Sequence, residues 1–359
     1  DTNSDLTTFQ NGNIFILKIS GGNNGLINAW TENSNFWKKA TGNTNTFMAD
    51  SITVDVDINN DVDVVYIGEN DLQGGSWNAL LHRITTDKGT EADPSLWSLS
   101  TLADIDNIAG NKDIAKKITG APSAAMDNTA NLWVYFGTGQ FLGISDKNQT
   151  DTGAFYGIKD GCWNGSCTTP FSDLLDISAA NVKIDGSVSG ISGACAGAVS
   201  SWSDLLNASR NCDGWSMYFG SLGENIDYSG ESLMHNGERV LSKPLVLGGL
   251  VTFASYIPGI NECSYEGESN VYAVYYETGT AYKEYVFSDQ KDQVTPSTTV
   301  ARTKNLGEGM PSSLSGQITS SGTTKGFVQQ STGAILEIQG LSPKSLKSGT
   351  TGWKTEPIP

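Results

Sequence analysis

Short runs of alternating apolar and polar residues, separated by clusters of glycine, asparagine and aspartate, are the main feature of this sequence. Aromatic and β-branched residues at alternate positions predict antiparallel strands, and the intervening clusters predict the turns between them. The predicted strands are NIFILKI (13–19), DVVYIGE (63–69), LLHRITT (80–86), NLWVYFGTG (131–139), AFYGIKD (154–160), GWSMYFG (214–220), PLVLGGLVTFASYI (244–257), SNVYAVYYETG (269–279), KGFVQQSTG (325–333) and AILEIQG (334–340).

Several of these runs are variations on one unit, in which an apolar strand is followed by a break of small residues and then a second strand. Examples are NLWVYFGTGQFLG, GLVTFASYIPG and KGFVQQSTGAILEI. Recurrence of such a unit at about 40–50 residues is typical of the blades of a β-propeller. A two-sheet sandwich is the competing architecture, but a chain of 359 residues would need two of them.

Helical periodicity is sparse. We predict short helices only for DPSLWSLSTLADI (93–105) and KDIAKKI (112–118), within an insertion. The prediction for residues 1–359 is therefore one all-β domain, an irregular propeller with short helical insertions.

Charge and hydropathy exclude two classes of partner. The formal net charge is −17, which is opposite to the basic surface that nucleic acid requires and unsuited to an anionic membrane surface. The longest apolar segment, LVLGGLVTFA (245–254), is far shorter than the roughly 20 residues of a membrane span. We predict neither nucleic-acid binding nor membrane insertion.

The chain has five cysteines and no C-x-x-C pair. Cys162 and Cys167 frame a short loop that a disulfide could close, and Cys195 and Cys212 frame a longer one, which would leave Cys263 free. Sequence does not decide the connectivity. With two histidines in the chain, a zinc site is the weaker interpretation, and an exported, oxidised protein is the better one. The sequence opens DTNSD, so we expect any export signal to lie outside it.

The densest cluster of candidate ligands lies in VDVDINNDVDVVYIGEND (54–71), directly before a strand that is predicted to be buried. Counted from Asp55, oxygen-bearing residues fall at the alternate positions of an EF-hand calcium loop, without its flanking helices. Position 6, usually glycine, is Asn60, which tolerates a left-handed backbone, and position 12 is Tyr66 instead of glutamate. The predicted ligands are Asp55, Asp57, Asn59, Asp61 through its backbone carbonyl, and Asp63, which closes the site.

The alternative interpretation of this segment is a solvated strand face. In a strand the four carboxylates would point to one face and repel one another, which disfavours folding, and a divalent cation removes that conflict. Mg²⁺ keeps more of its water and uses fewer protein ligands, so Ca²⁺ is the predicted ion.

At this loop the sequence resembles the PilY family of type IV pilus tip adhesins and biogenesis factors. VDVDINNDVDVVYIGE is similar to the family's calcium loop, in which D-x-[DN]-x-[DN]-x-x-x-D runs into a VDxVYxGD strand. Further similar motifs follow in the family's order, from about residue 50 to 340: ITGAPSAAMDNTANLWVYFGTGQFLGISD (118–146), QTDTGAFYGIKD (149–160), NGERVLSKPLVLGGLVTFASYIP (236–258), and GMPSSLSG and VQQSTGAI within 309–335.

The resemblance implies a modified, quinoprotein-like propeller of about seven blades that forms the C-terminal domain of larger proteins. It implies calcium-dependent control of pilus extension and retraction, hence of twitching motility, and adhesion to host or abiotic surfaces. Minor pilins or the assembly machinery are the expected partners, and the pilus tip and cell surface, the periplasm or the outer membrane the expected location. We expect the family's variable N-terminal adhesive region to lie outside this sequence. Two residues depart from the family's loop, Asn60 and Val62.

Enzymatic functions find little support in the sequence. No G-x-S-x-G, H-E-x-x-H or P-loop motif occurs, and the two histidines lie in an apolar stretch (His82) and in a loop without a nucleophile motif (His235). We predict a structural role for His82. A quinoprotein dehydrogenase is a weaker alternative, because the adjacent cysteine pair typical of those enzymes is missing.

A secreted carbohydrate-binding or adhesive propeller, unrelated to pili, is the remaining alternative. It depends on exposure of Trp163, Trp202 and Trp215, although a buried blade position is the more common place for tryptophan. For the GERV segment we predict an ion-paired corner between blades, formed by Glu238 and Arg239 beside Lys243.

Overall fold

The prediction of an all-β chain is confirmed by the structure, a computed structural model in whose described residues strands predominate over two short α-helices. Its element bounds agree with all ten predicted strand segments to within a few residues. The structure describes residues 11–18, 30–86, 89–90, 92–109, 114–164, 173–222, 235–259, 267–287, 290, 295–318 and 324–340.

The first part of the chain forms a two-stranded pair and then a four-stranded antiparallel sheet whose strands follow in chain order. The pair consists of β1 (Asn13–Leu17) and β2 (Phe36–Ala40). The sheet consists of β3 (Thr46–Val54), β4 (Val64–Gln73), β5 (Ser76–Thr85) and β6 (Ser98–Asp104). A two-residue turn joins β4 to β5, and its residues, Gly74 and Gly75, both have positive φ, which suits the twist of a tight hairpin.

The second sheet has five strands, in the order β10-β13-β9-β8-β7, and β10 runs parallel to β13. Its strands are β7 (Ser123–Met126), β8 (Leu132–Gly137), β9 (Ala154–Asp160), β10 (Leu174–Asp176) and β13 (Gly214–Tyr218). Helix α1 (Ile105–Ala109) precedes this sheet, and a small excursion interrupts it. The excursion contains β11 (Asn181–Val182), β12 (Val188–Ser189) and helix α2 (Trp202–Asn211).

The last two sheets are again antiparallel and follow the chain order. The third sheet consists of β14 (Leu245–Leu247), β15 (Leu250–Ile257), β16 (Glu268–Tyr275) and β17 (Thr303–Glu308). The fourth sheet consists of β18 (Ser315–Ile318), β19 (Thr324–Gln329) and β20 (Ile335–Gly340). These sheets do not establish a count of seven blades.

Successive sheets pack face to face, so the inner sheets are buried on both sides. In β8, Val134 faces a core shared with the first sheet, whereas Trp133 and Tyr135 face a core shared with the third sheet. A third core lies between the third and fourth sheets and includes Val271 and Val328. Burial of both faces explains why β8 is a continuous apolar run, LWVYF, instead of an alternating one.

The helix predictions are wrong. Most of 93–105 is strand β6, because backbone pairing with β5 at the sheet edge outweighs a weak helical spacing of apolar residues. The described part of 112–118 has no regular structure. The longer of the two helices, α2, was not predicted; it begins with a capping box in which the Ser201 side chain accepts from the Asp204 backbone N–H at 3.2 Å. That S-x-x-D spacing is a signal that the sequence contains.

Of the two pairings that the sequence left open, the Cys195–Cys212 disulfide is present. Cys162 is also disulfide-bonded. Cys167, its candidate partner, and Cys263 both lie outside the described residues. No helix in the described part of the chain is long and apolar enough to span a membrane.

Candidate metal centre

The acidic segment is a loop between two neighbouring strands. Strand β3 ends at Val54 and β4 begins at Val64, and these two residues are paired across the sheet. The backbone N–H of Asp63 donates to the carbonyl oxygen of Val54 at 3.0 Å. The chain must therefore leave and return within one strand spacing, and residues 55–63 curl into a compact loop. The alternative of a solvated strand face is wrong.

Three carboxylates of the loop converge. Oxygen atoms of Asp55, Asp57 and Asp63 lie within 4.8 Å of one another. Among the described residues, none of these three carboxylates forms an ion pair with a basic side chain. Like charges at this separation repel one another strongly unless a cation lies between them.

Asp63 differs from the other two because it is completely buried, with 0% of its surface exposed. Its Oδ2 accepts a hydrogen bond of 2.6 Å from the backbone N–H of Val56, which closes the loop. Its Oδ1 is buried and has no hydrogen-bond partner. A buried carboxylate oxygen without a partner loses its hydration and gains nothing in return, so this atom fits a metal ligand.

The side chain of Asp55 shapes the loop by accepting hydrogen bonds from the loop backbone. Its Oδ1 accepts from the backbone N–H of Asn59 at 3.1 Å and its Oδ2 from that of Asn60 at 2.8 Å. Asn60 has a φ of 76°, so the left-handed conformation expected of position 6 is present. Ile58 also has a positive φ, 60°, which is strained for a β-branched residue, and its side chain is 85% exposed.

The two other predicted ligands are on the exposed part of the loop. Asn59 Oδ1 accepts from the backbone N–H of Asp61 at 2.7 Å. The carboxylate of Asp61 is outside the cluster of three, and only the backbone carbonyl of this residue was predicted to bind. The structure therefore brings together the carboxylates of Asp55, Asp57 and Asp63. Asn59 and Asp61 bond to each other in the exposed turn of the loop.

Thr86, at the end of β5, is a part of this site that sequence analysis missed. Its backbone N–H donates to the carbonyl oxygen of Asp63 at 3.0 Å, and its hydroxyl contacts the carbonyl oxygens of Val62 and Asp63. The N–H of Gly89 donates to the same hydroxyl at 2.9 Å. A side chain at Gly89 would collide with the Cβ of Asp61, at 2.7 Å. No local spacing in the sequence connects residues 86–89 with the loop.

His82 has the structural role that was predicted. It is buried and bonds Glu69 through Nε2, and its Nδ1 lies 3.3 Å from the hydroxyl of Thr101. Burial alone would raise the pKa of Glu69, but hydrogen bonds from His82, from the Thr41 hydroxyl at 2.7 Å and from the Asn43 amide at 3.0 Å lower the pKa below its usual value.

The predicted ion-paired corner at GERV is wrong. Glu238 is fully buried and accepts hydrogen bonds from four side chains, those of His235 at 2.6 Å, Asn270 at 3.2 Å, Tyr272 at 2.8 Å and Ser255. Arg239 instead donates to backbone carbonyl oxygens, those of Gly237, Gln140 and Gln149 at 2.8 Å and that of Asp146 at 3.1 Å. Adjacent residues on an extended backbone point in opposite directions, which separates the two charges. Lys243 is exposed.

The three candidate tryptophans, Trp163, Trp202 and Trp215, do not form an exposed platform. Trp215 is fully buried and its indole N–H donates to the carbonyl oxygen of Tyr276 at 3.3 Å. Trp202 is half-buried and packs edge-on against Tyr275 and Tyr282, with ring centroids 5.4 Å apart in both pairs. Trp163 is also half-buried.

Comparison with known proteins confirms the resemblance seen in the sequence. No profile of a known protein family matches the chain. Over 223 residues it is 25% identical to a protein of Xylella fastidiosa described as a type IV pilus biogenesis factor PilY1 homolog; the match covers 60% of this chain and 13% of that protein. The chain therefore spans a small part of its curated relative.

A solved structure shares the fold. The crystal structure of the Pseudomonas aeruginosa PilY1 C-terminal domain superposes with a TM-score of 0.54, over 84% of this chain and 62% of that one, at 18% sequence identity. At this identity the likeness concerns the fold alone.

Proposed function

We propose that this chain is the C-terminal domain of a type IV pilus biogenesis factor and that its loop 55–63 binds Ca²⁺, which regulates pilus extension and retraction. The observation that carries the calcium site is Asp63 Oδ1, a fully buried carboxylate oxygen without a hydrogen-bond partner, beside the carboxylates of Asp55 and Asp57. The pilus assignment is supported by the similarity to PilY1-type proteins.

The ligand set favours calcium over other ions. Every candidate ligand is a hard oxygen donor, which suits Ca²⁺ or Mg²⁺ and disfavours zinc or copper. Three carboxylates, a side-chain amide and a backbone carbonyl from one loop match the several protein ligands that Ca²⁺ takes, whereas Mg²⁺ retains water. Without a glutamate at position 12, we expect a dissociation constant of about 10⁻⁷ to 10⁻³ M, the range of sensors and extracellular modules.

The loop is placed so that a bound ion would act beyond it. Asp63 is both the buried ligand and the residue whose carbonyl oxygen Thr86 holds. Neutralising the repulsion within the loop would order residues 55–63 and, through Thr86, the connection that follows β5. An ordered surface segment would then differ from the loose one in its contacts with the pilus machinery.

The sheets support a propeller-like arrangement. Four sheets follow one another along the chain and pack in that order, each core lying between consecutive sheets. Blades of a propeller bury their faces in this way. We infer a modified, quinoprotein-like propeller, and the proposed number of blades remains about seven.

The proposed partners are minor pilins or the pilus assembly machinery, with host or abiotic surfaces as adhesion targets, and the proposed location is the exported side of the cell. The Cys195–Cys212 disulfide is consistent with an oxidising compartment. We propose no catalytic role, because each histidine is bonded to the carboxylate of a buried glutamate, His82 to Glu69 and His235 to Glu238.

Calorimetric titration of the metal-stripped chain tests the calcium site. We expect one site for Ca²⁺, at least about tenfold weaker binding of Mg²⁺, and a loss of Ca²⁺ affinity of about 100-fold or more in Asp63→Asn. Asp50→Asn, which removes an exposed carboxylate from the neighbouring β3, is the matched control and should bind like the wild type. Equal Ca²⁺ binding by Asp63→Asn would overturn the proposal.

The regulatory part is tested separately, in bacteria that produce the complete protein. Pilus retraction should depend on Ca²⁺ in the wild type and in Asp50→Asn, and should lose that dependence in Asp63→Asn. Unchanged calcium dependence in Asp63→Asn would leave the site without a role in regulation.

A further inference from the structure

A cavity of about 380 Å³ lies between the first and second sheets, away from the acidic loop. Its volume falls in the range of small-ligand pockets. The lining comes from strand β5 (Trp77), the 114–117 segment (Lys117), the chain after β8 (Gln140), the loop before β9 (Asp151) and the segment before β14 (Arg239).

Lys117 is the unusual residue of this cavity. Its side chain is largely buried, with 8% of the residue exposed, and its Nζ lies 4.0 Å from the ring centroid of Trp77. Among the described residues it forms no ion pair and its Nζ makes no hydrogen bond. Buried lysines are rare unless they are paired. Burial lowers the pKa of Lys117 to about 8, although Asp146 and Asp151 oppose this shift.

Apart from Asp151, which is exposed, the other charged side chains near the cavity already have partners. Lys116 pairs with Asp106, and Arg239 binds four backbone carbonyl oxygens. Asp146 accepts from the amides of Gln140 and Gln149, at 2.7 and 3.2 Å, and from two backbone N–H groups. Within the described lining, the Lys117 ammonium is therefore the cation left to meet an anion.

The walls of the cavity are held rigidly. Asn70 of β4 exchanges two hydrogen bonds of 2.7 Å with the backbone of Ile118, next to Lys117. On the other side, the backbone N–H of Gly139 donates to the carbonyl oxygen of Lys117 at 2.6 Å. The backbone N–H of Ala115 donates to the carbonyl oxygen of Thr152 at 3.0 Å. A pocket whose walls are fixed before binding loses little entropy when a ligand enters.

We propose that this cavity binds a carboxylate group, held by the ammonium of Lys117. The chemistry is that of an acidic residue of a peptide or of a free carboxylic acid. This site is independent of the calcium loop, so it stands or fails separately from the proposed function.

The test is titration calorimetry of the 359-residue chain at pH 7 with three probes: the blocked peptide acetyl-Gly-Asp-Gly-amide, its Asn counterpart, and malate. We expect saturable, millimolar or tighter binding of at least one carboxylate probe, and binding at least about tenfold weaker for the Asn peptide. Preference for the peptide would indicate a protein partner, and preference for malate a free acid.

Three variants decide the role of Lys117. Lys117→Met should weaken binding of the carboxylate probe by about tenfold or more, while Lys116→Met, its neighbour already paired with Asp106, should change it less than about twofold. Asp151→Asn removes the exposed competing carboxylate and should tighten binding severalfold, which supplies a second reading if Lys117→Met folds poorly. Absence of saturable binding by every probe, or equal binding by Lys117→Met that is folded, would overturn the proposal.

Discussion

The acidic loop and the corner around Glu238 each bury one carboxylate completely, but the two carboxylates differ in how many hydrogen bonds they accept. Glu238 accepts hydrogen bonds from the side chains of His235, Ser255, Asn270 and Tyr272. Asp63 accepts one, from the backbone N–H of Val56, and its second oxygen has no partner. The Glu238 network is closed, because four side chains donate to its carboxylate, whereas the carboxylate of Asp63 has an open position, which we propose that a cation fills.

The largest effect is expected from a substitution that removes the acceptor of the closed network at Glu238. Glu238→Ala leaves the hydroxyl of Tyr272 and the amide of Asn270 buried without their acceptor, so it should lower the free energy of unfolding by about 3–5 kcal/mol, with or without Ca²⁺. Urea unfolding measures it, and Glu308→Ala, which removes an exposed glutamate from β17, is the control. A loss below about 1 kcal/mol would show that the corner is not structural.

The second prediction concerns the open carboxylate. At a Ca²⁺ concentration about 100 times the dissociation constant, the wild type should gain about 2.7 kcal/mol in free energy of unfolding, and Asp63→Asn should gain almost none. In the absence of Ca²⁺ the variant should be as stable as the wild type, because it removes a buried charge and keeps the Val56 bond. If Asp63→Asn unfolds the chain without Ca²⁺, Asp63 is structural, like Glu238.

The third prediction concerns Asp127, a second carboxylate whose two oxygens both accept hydrogen bonds. Burial would raise its pKa, but hydrogen bonds from Trp133 at 2.9 Å, from Asn131 and from Thr129 lower it to about 2. A depressed folded-state pKa stabilises the fold above the ordinary value near 4 and is lost as the pH falls towards 2.

Acid unfolding followed by circular dichroism tests this point. The free energy of unfolding of the wild type should fall more steeply between about pH 4 and 2 than that of Asp127→Asn, whereas Asp50→Asn should follow the wild type. Identical slopes for Asp127→Asn and the wild type would mean that the carboxylate is not held by these hydrogen bonds.

The smallest expected effect is at the connection between the loop and β5. Thr86→Val removes the hydroxyl that contacts the carbonyl oxygens of Val62 and Asp63, and should cost about 1 kcal/mol of stability. If the unpaired Oδ1 of Asp63 binds Ca²⁺, as proposed, this variant should also weaken Ca²⁺ binding severalfold. Thr53→Val, at an exposed position of β3, is the control in both measurements. Unchanged calcium affinity in Thr86→Val would confine the ion's influence to residues 55–63.

Local features account for what sequence analysis predicted correctly. Strand positions depend on the alternation of neighbouring residues, which is why AFYGIKD coincides with β9. The acidic loop depends on charge density within nine residues, and the left-handed Asn60 on the tolerance of one side chain. Even the missed helix α2 has a local signal, its capping box at Ser201 and Asp204.

Distant contacts account for the errors. Residues 98–104 form a strand because β5 offers them an edge, a fact that their own spacing does not contain. Arg239 turns away from Glu238 because the carbonyl oxygens of residues 140, 146 and 149, some ninety positions earlier, gather around it. Thr86 likewise depends on Val62 and Asp63, 24 and 23 positions earlier, and the Lys117 cavity on residues from several separate segments.

The sequence by itself determined the all-β character of this protein, the positions of most strands and the acidic loop with its five candidate ligands. Only the tertiary structure decided which carboxylate is left without a partner, which buried charges are satisfied, and where Lys117 meets a cavity. The physical reason is one of range. Backbone periodicity and like-charge repulsion act between residues that are close in sequence, whereas burial and hydrogen-bond satisfaction depend on groups that only packing brings together.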